Sequence, residues 1–266
     1  MNICLFDKNE VSAPLSFDDA RGQHILKILH KKQGEDFTAG IIGGESGVAN
    51  ITRVDENERL IYFTFTPTGD GKPLNPLIMI VGFPRPIQLR RLLRDVAALG
   101  VCELHLTGTE LGEKSYMQSD LAQPQNAHEL LREGTVQAGS THIPKVFVHK
   151  TLSECLQSLG SLNDMGSLSL SKGPKGTKLL CLDNVNPKCS INDAMVVPER
   201  NGVPEPVEGP QVIAAIGSER GWTDRERKLL EDAGFIRCGM GERIMRTETA
   251  ATVAGAIILN SMGVLN

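Results

Sequence analysis

The sequence predicts an α/β protein in which a mostly parallel sheet follows a small β-barrel. From residue 1 to about residue 68, short β-prone runs are separated by turn residues, which is typical of a small barrel or sandwich. After residue 76, continuous apolar runs alternate with amphipathic helical segments, which is typical of a parallel sheet with crossover helices. We therefore expect two domains, at residues 1–68 and 76–266.

The first domain is predicted from its turn residues. Clusters of Gly, Asp, Glu and Asn separate β-prone runs at residues 37–42, 48–54 and 60–65. One helix is expected among the strands, at residues 18–31, where Ile25, Leu26, Ile28 and Leu29 form an apolar stripe. The segment 67–73, with two prolines and two glycines, is the predicted linker to the second domain.

The second domain is predicted from apolar strands and the helices between them. Residues 77–81 are all apolar, as expected of a strand buried on both faces. Pro86 then begins a helix that Gly100 ends. Further strands are expected at residues 101–106, 145–149, 178–182 and 212–216, and further helices at 127–138, 224–233 and 248–259. We interpret the polar stretch between Pro187 and Pro210 as a flexible surface insertion.

Composition narrows the class of protein. The 266 residues include 28 basic and 32 acidic side chains, a net charge of −4, so binding of nucleic acid would need a local basic face. No apolar run is long enough for a membrane helix, and we expect no membrane association. Six scattered cysteines without a CxxC pair predict reduced thiols and a cytoplasmic protein. No His or Cys spacing is typical of a metal site, so no metal is expected.

Two glycine loops near the end of the chain are the strongest chemical signals. In the first, a strand ending at Ile216 runs into Gly217 and Gly221 and then into a helix. Such a loop leaves amide donors free beside a ligand, although a simple strand-to-helix turn is the alternative. In the second, Gly239 and Gly241 precede a charged segment. It is not a dinucleotide fingerprint, because Ile244 stands in place of the third glycine.

Together the two loops resemble the RsmE family. The stretch IGSERGWTDRE…AGF…GMGERIMRTETA is similar to the motif IGPEGG…E…AGF…LGPRILRTETA of that family, and residues 244–250 are its most specific part. Weaker similarity lies in HILKIL at 24–29 and EKSY at 113–116. RsmE proteins belong to the SPOUT superfamily, and they methylate uracil N3 in 16S ribosomal RNA with S-adenosylmethionine.

The resemblance implies a PUA-like barrel followed by a SPOUT domain with a deep trefoil knot. It implies a homodimer in the cytoplasm, with 16S ribosomal RNA or the small ribosomal subunit as partner. S-adenosylmethionine would lie against three loops of the knot. The cofactor-binding residues that the resemblance implies are Leu182, Asp183, Asn184, Ile216, Gly217, Ser218, Gly221, Met240, Gly241, Ile244, Met245 and Thr247.

Methylation at uracil N3 requires the loss of a weakly acidic proton, which defines the expected catalytic residues. Glu219 and Glu248 are the candidate bases, and Arg246 is the candidate that stabilises negative charge on a uracil oxygen. The structural alternative for Arg246 is an ion pair with either glutamate. The candidates for RNA binding are Arg85, Arg90, Arg91, Arg94 and Lys114, with a solvated helix face as the alternative for the arginines.

Four residues depart from the family pattern. Ser218 and Arg220 replace the proline and the first glycine of PEGG, while His30 and Ser140 stand where the family carries arginine. Two other functions therefore remain open. One is a knotted protein that binds RNA or the ribosome without catalysis, and the other is a SPOUT methyltransferase with a different RNA target.

Overall fold

A five-stranded sheet and a seven-stranded sheet form the framework of the computed structural model, which describes residues 2–163, 177–195 and 212–265. Each sheet belongs to a separate compact unit. The first unit comprises Met1–Leu74 and Arg132–Ile143, and the second comprises Asn75–Leu131 and Pro144–Asn266. A segment from the middle of the chain is therefore part of the first unit.

The first unit is a mixed sheet around a small aromatic core. Its strands are β1 (Cys4–Phe6), β2 (Leu15–Ser16), β3 (Asp36–Ile41), β4 (Ser46–Asp55) and β5 (Leu60–Gly69). The order is β1-β3-β4-β5-β2, and only the β1–β3 pair is parallel. The ring of Phe63 lies 5.1 Å from that of Phe6 and 5.7 Å from that of Phe37. The three predicted β-prone runs are confirmed as β3, β4 and β5.

The helix predicted at residues 18–31 is wrong in length and type. A single α-helical turn, α1 (Ala20–Gln23), passes into a π-helical turn at His24–Ile28. Ile25 is fully buried, but Ile28 and Leu29 of the predicted apolar stripe are exposed. Packing against the core therefore does not stabilise a longer helix. His30, shortly after its end, has a left-handed backbone conformation with a φ of 52°.

The second unit contains a sheet in which every pair of strands is parallel. Its strands are β6 (Asn75–Gly82), β7 (Val101–Thr107), β8 (Lys145–His149), β9 (Lys178–Leu182), β10 (Cys189–Ser190), β11 (Val212–Ile216) and β12 (Ile236–Gly239). The order is β10-β12-β9-β11-β6-β7-β8. Strands β8, β9 and β11 have the predicted bounds. The short strand β12, which was not predicted, lies between β9 and β10.

Six α-helices follow β6 in the described ranges. They are α2 (Pro86–Ala98), α3 (Pro124–Ala138), α4 (Leu152–Asn163), α5 (Ile191–Met195), α6 (Asp224–Asp232) and α7 (Thr247–Ser261). A capping box formed by Thr223 and Glu226 begins α6, as their spacing predicts. Helix α4 was not predicted.

The prediction of a flexible insertion between Pro187 and Pro210 is wrong for its first part. Cys189 and Ser190 pair with β12, and Ser190 and Asp193 exchange hydrogen bonds that begin α5. Residues 196–210 of the predicted insertion lie outside the described residues.

Helix α7 is the most apolar of the described helices, and other elements of the chain cover much of it. It packs on β6, β11, α2 and α5, and its residues Ala251, Ala254, Ile258 and Leu259 have no exposed surface. None of the helices in the described ranges is both long enough and apolar enough to cross a membrane.

Candidate active site

Three loops of the second unit leave the sheet side by side. Strands β9, β11 and β12 are neighbours, and their register aligns Ile216 and Cys238 with Leu182. Because the strands are parallel, the loops after all three begin at the same edge. The fold therefore brings together the three segments that carry the predicted cofactor residues: 182–184, 216–221 and 240–247.

The loop after β11 is a tight turn closed by its own backbone. The amide of Gly221 donates to the carbonyl oxygen of Ser218 at 2.8 Å, and Gly221 has a φ of 71°. A Cβ on Gly217 would lie 2.9 Å from the Cα of Gly221. Glycine is therefore required at 217 by the neighbouring backbone, and at 221 by the left-handed conformation.

Side chains connect this loop to the rest of the unit. The buried hydroxyl of Ser218 accepts a hydrogen bond from Thr109 Oγ1 at 2.9 Å. Thr247, buried at the start of α7, has its Oγ1 3.5 Å from the carbonyl oxygen of Gly217. The loop after β11 is thus held from the side of β7 and from the side of α7.

The loop after β12 is open by comparison. Gly241 has a φ of 100°, and no described atom lies within 4 Å of the position its Cβ would take. Met240 and Met245 are half-buried, whereas Ile244 is 87% exposed. Ile244, so exposed just before α7, is available for contact with another molecule.

The loop after β9 is anchored by an ion pair. Arg227 Nε of α6 lies 2.6 Å from Asp183 Oδ2, and both side chains are largely buried. The carboxylate raises the pKa of Arg227 above its usual range. The other oxygen of Asp183 accepts from the amide of Val185 at 3.0 Å. Asp183 therefore shapes its loop, while the neighbouring Asn184 is exposed.

The three predicted catalytic residues differ in environment. Glu219 lies 3.6 Å from Arg85 Nε and accepts a hydrogen bond from the Arg85 amide at 3.3 Å. Glu248 is buried in the first turn of α7, and its Oε2 has no hydrogen-bond partner in the described part of the chain. Arg246 is exposed and, within residues 2–163, 177–195 and 212–265, forms no ion pair with either glutamate.

The basic residues predicted for RNA binding are all exposed. Arg85 precedes α2, while Arg90, Arg91 and Arg94 lie on the face of α2 opposite its buried residues. Lys114 lies in a 3₁₀ turn after β7. Of the two positions where the family carries arginine, His30 is exposed, whereas Ser140 is buried and donates to the Lys72 carbonyl oxygen at 3.1 Å.

A cavity that sequence reasoning missed lies at the same edge of the sheet. Its volume is about 910 Å³, and its lining comes from the segments after β6, β7 and β8 together with the start of α6. Lys114 is part of this lining, and Thr109, also part of it, is the residue that bonds to Ser218. The glycines at 108 and 112 were the available signal for a loop here.

Comparison with known proteins identifies the family of the chain. A family profile described as an RNA methyltransferase domain matches residues 71–259. The chain is 40% identical to ribosomal RNA small subunit methyltransferase E of Treponema pallidum, over 97% of this chain and 91% of that protein. It is 28% identical to ribosomal RNA small subunit methyltransferase E 1 of Borreliella burgdorferi, over 98% of each chain.

Solved structures give the same fold. The crystal structure of ribosomal RNA small subunit methyltransferase E from Neisseria gonorrhoeae, bound to S-adenosyl methionine, matches with a TM-score of 0.70 at 21% identity, covering 98% of this chain and 97% of that one. A probable rRNA methyltransferase from Porphyromonas gingivalis matches over the whole of both chains with a TM-score of 0.68 at 21% identity. The predicted combination of a barrel and a SPOUT domain is thereby confirmed, and the chain belongs to the RsmE-type RNA methyltransferase family.

Proposed function

We propose that this protein transfers a methyl group from S-adenosylmethionine to N3 of a uracil in 16S ribosomal RNA. The names of its relatives and the motif at residues 244–250 support this activity. The observation that carries the proposal is the register of β9, β11 and β12. Because of it, the loops at 182–184, 216–221 and 240–247 begin at one edge of the sheet.

The residues present fit the cofactor. Gly221 and Gly241 have positive φ and open space at their Cβ positions, so backbone groups can approach a ligand. Glu248 Oε2 is a buried acceptor without a partner among the described residues, which is expected where a ligand completes the site. When bound, S-adenosylmethionine supplies the methyl group from a sulfonium centre. Leu182, Ile216, Gly217, Met240, Met245 and Thr247 would surround it, with Asn184, Ser218 and Ile244 beside them.

Removal of the N3 proton falls to a carboxylate in this proposal. Glu219 is partly exposed at the edge of the β11 loop, where the Arg85 amide and guanidinium orient it. Glu248 is the buried alternative at the start of α7. Arg246 is exposed and forms no ion pair among the described residues, so its guanidinium group can face the uracil. It would stabilise the negative charge that develops on a uracil oxygen as the proton leaves.

RNA would approach over the basic side chains near this edge. Arg85, Arg90, Arg91 and Arg94 present exposed guanidinium groups on or beside α2. Lys114 and Lys150 add two cations at the cavity of about 910 Å³, whose lining also includes Glu110, Glu113 and Glu226; Arg225 there pairs with Glu110 at 3.4 Å. Phosphate contacts of this kind would give the binding a strong dependence on salt concentration.

The proposal includes a cytoplasmic homodimer, as in the family it resembles. The exposed apolar side chains of Ile87 and Ile244 support a partner surface near the site. The apolar character of α7 adds little support, because β6, β11, α2 and α5 cover that helix. Light scattering at micromolar concentration would report twice the chain mass of 28.8 kDa, and a monomer would reject the dimer.

Two measurements test the activity. Calorimetry should show binding of S-adenosylmethionine to the full chain. Small ribosomal subunits from a strain that lacks the protein should then accept labelled methyl groups, with large subunits as the control. Cofactor binding without transfer to any RNA would favour the non-catalytic RNA-binding alternative. Transfer to another RNA class would favour a SPOUT methyltransferase with a different target.

A further inference from the structure

Two histidines and a cysteine meet inside the second unit, on residues that the proposed reaction does not use. His105 lies on β7, His149 on β8 and Cys155 in the first turns of α4. Their exposed fractions are 0%, 6% and 0%. One ligand atom from each lies within 4.8 Å of the other two. Nδ1 of His105 is 2.9 Å from Nε2 of His149, so their ring nitrogens share a proton.

The sheet register creates this arrangement. His105 pairs with Phe147, and Thr107 pairs with His149, so the two histidines are diagonal neighbours on one face of adjacent strands. Their rings are nearly parallel, at an interplanar angle of 3° with centroids 5.2 Å apart. In the sequence, 44 positions separate the two histidines, which is why spacing could not predict the cluster.

The carboxylate of Glu103 lies near the ring nitrogen of His105 that does not face His149. Glu103 Oε2 lies 3.4 Å from His105 Nε2, and Lys145 Nζ lies 3.7 Å from the other oxygen of Glu103. The bond to His105 lowers the pKa of Glu103, which favours the charged carboxylate. With its proton on Nε2, toward Glu103, His105 would present a lone pair at Nδ1 to the cluster. A histidine that binds a metal is held in this way in most known sites.

We propose that His105 Nδ1, His149 Nε2 and Cys155 Sγ bind one zinc ion, which fastens α4 to the β7–β8 edge of the sheet. Nitrogen and sulfur are the ligands that zinc prefers, and a water molecule would take the fourth position. In a tetrahedral site with normal bond lengths, ligand atoms lie about 3.3 to 3.6 Å apart, so both rings must turn toward the ion and ligand atoms now up to 4.8 Å apart must move about 1 Å closer.

Proton and charge balance are consistent with this site. The ion displaces the proton between the two ring nitrogens, which moves to Nδ1 of His149 so that both rings stay neutral, and the proton of the Cys155 thiol passes to solvent. The thiolate and the nearby Glu103 carboxylate then offset the two positive charges of the ion.

The competing explanation is a hydrogen-bonded histidine pair with Cys155 as an ordinary core residue. Cys155 does pack with Leu152 and Leu159, and burial raises the pKa of its thiol to about 12. The two explanations differ over Cys155. A core thiol can be replaced by a hydroxyl without any change in metal content, whereas a ligand cannot.

The first test is a zinc titration of the full chain after treatment with a chelator, read by competition with a chromogenic zinc indicator. Wild type should bind one equivalent, and Cys155→Ser should lose it. Glu103→Gln should weaken binding by about 10- to 100-fold. Two controls should retain it: Cys102→Ser, from β7, and Cys189→Ser, from the pair whose sulfurs lie 3.8 Å apart. Absence of binding in wild type, or full binding in Cys155→Ser, would overturn the proposal.

A second readout does not depend on how well a variant folds. Wild type loaded with Co²⁺ should show the sulfur-to-cobalt charge-transfer band of a thiolate ligand and the visible bands of a tetrahedral site. Cys189→Ser should give the same spectrum. Wild-type protein that shows no charge-transfer band, or one lost only in Cys189→Ser, would contradict the assignment of Cys155 as a ligand.

Discussion

Two groups of loops leave the same edge of the seven-stranded sheet, and they differ in construction. The loops after β9, β11 and β12 carry the predicted cofactor residues. Those after β11 and β12 also carry the family motif, and their Gly221 and Gly241 adopt conformations that other residues rarely adopt. The loops after β6, β7 and β8 instead border a cavity of about 910 Å³. The family motif and the cavity therefore lie at neighbouring but different parts of this edge of the sheet.

The difference teaches that backbone shape and open volume serve different ligands. Tight glycine turns suit a cofactor that is recognised through amide and carbonyl groups. The cavity is lined by Lys114, Lys150 and Arg225 and equally by Glu110, Glu113 and Glu226, so open volume rather than charge distinguishes it. The hydrogen bond between Thr109 and Ser218 joins the two groups. Substitutions in each group of loops can show whether the two groups have separate roles.

The largest effect is expected from Arg246→Ala. Loss of a positive charge aimed at a developing anion costs on the order of 100-fold or more in rate. Because Arg246 is exposed and forms no ion pair among the described residues, the variant should keep its fold and its cofactor affinity. Single-turnover methyl transfer to small subunits is the measurement. Arg243→Ala, an exposed arginine of the same loop, is the matched control and should stay near wild type.

Near-normal turnover of Arg246→Ala would remove this arginine from the catalytic residues. If the variant lost cofactor binding, Arg246 would instead have a structural or cofactor-holding role.

Asp183→Asn should lower stability more than it alters chemistry. The change weakens a largely buried ion pair with Arg227, at 2.6 Å, and should reduce the free energy of unfolding by about 2–3 kcal/mol. Urea denaturation measures this loss. Asn184→Ala, at the exposed neighbour, should leave stability almost unchanged. Equal stability of the two variants would mean that the ion pair does not anchor the β9 loop.

Gly217→Ala and Gly241→Ala test two different reasons why glycine is required in these loops. A Cβ at 217 would lie 2.9 Å from the backbone of Gly221, so the β11 loop must shift, at a cost of about 1–2 kcal/mol. At 241 the space is open and only the positive φ is costly, at about 1 kcal/mol. Calorimetry should therefore show the larger loss of cofactor affinity for Gly217→Ala. The reverse order would place the cofactor closer to the β12 loop.

The smallest effect is expected from Thr109→Val. It removes the donor to Ser218, and one hydrogen bond contributes about 1 kcal/mol to stability. Combined with Ser218→Ala, it forms a double-mutant cycle measured by urea denaturation. Additive losses would show that the two groups of loops are not coupled through this contact.

Prediction of the fold succeeded where burial dominates. Residues 145–149, 178–182 and 212–216 became strands with the predicted bounds, because short apolar runs in a parallel sheet leave few alternatives. Strand β12 was missed, since its four residues include an arginine and a glycine. The helix at 18–31 was predicted too long because an apolar stripe does not guarantee that every member finds a core.

Prediction of the site depended on resemblance more than on spacing. The motif indicated the loops at 216–221 and 240–247, and the register then aligned their strands. Contacts between residues far apart in the sequence, such as that of Asp183 with Arg227, could not be predicted from it. The same holds for His105, His149 and Cys155, whose proximity arises only when β7, β8 and α4 pack together.

Hydrogen exchange with and without S-adenosylmethionine tests the central claim most directly. If the cofactor lies against the loops after β9, β11 and β12, its addition should slow exchange in peptides covering 182–184, 216–221 and 240–247. Exchange at 108–118, beside the cavity, should not change. Slower exchange at 108–118, with no change at 182–184, 216–221 and 240–247, would contradict this location of the cofactor.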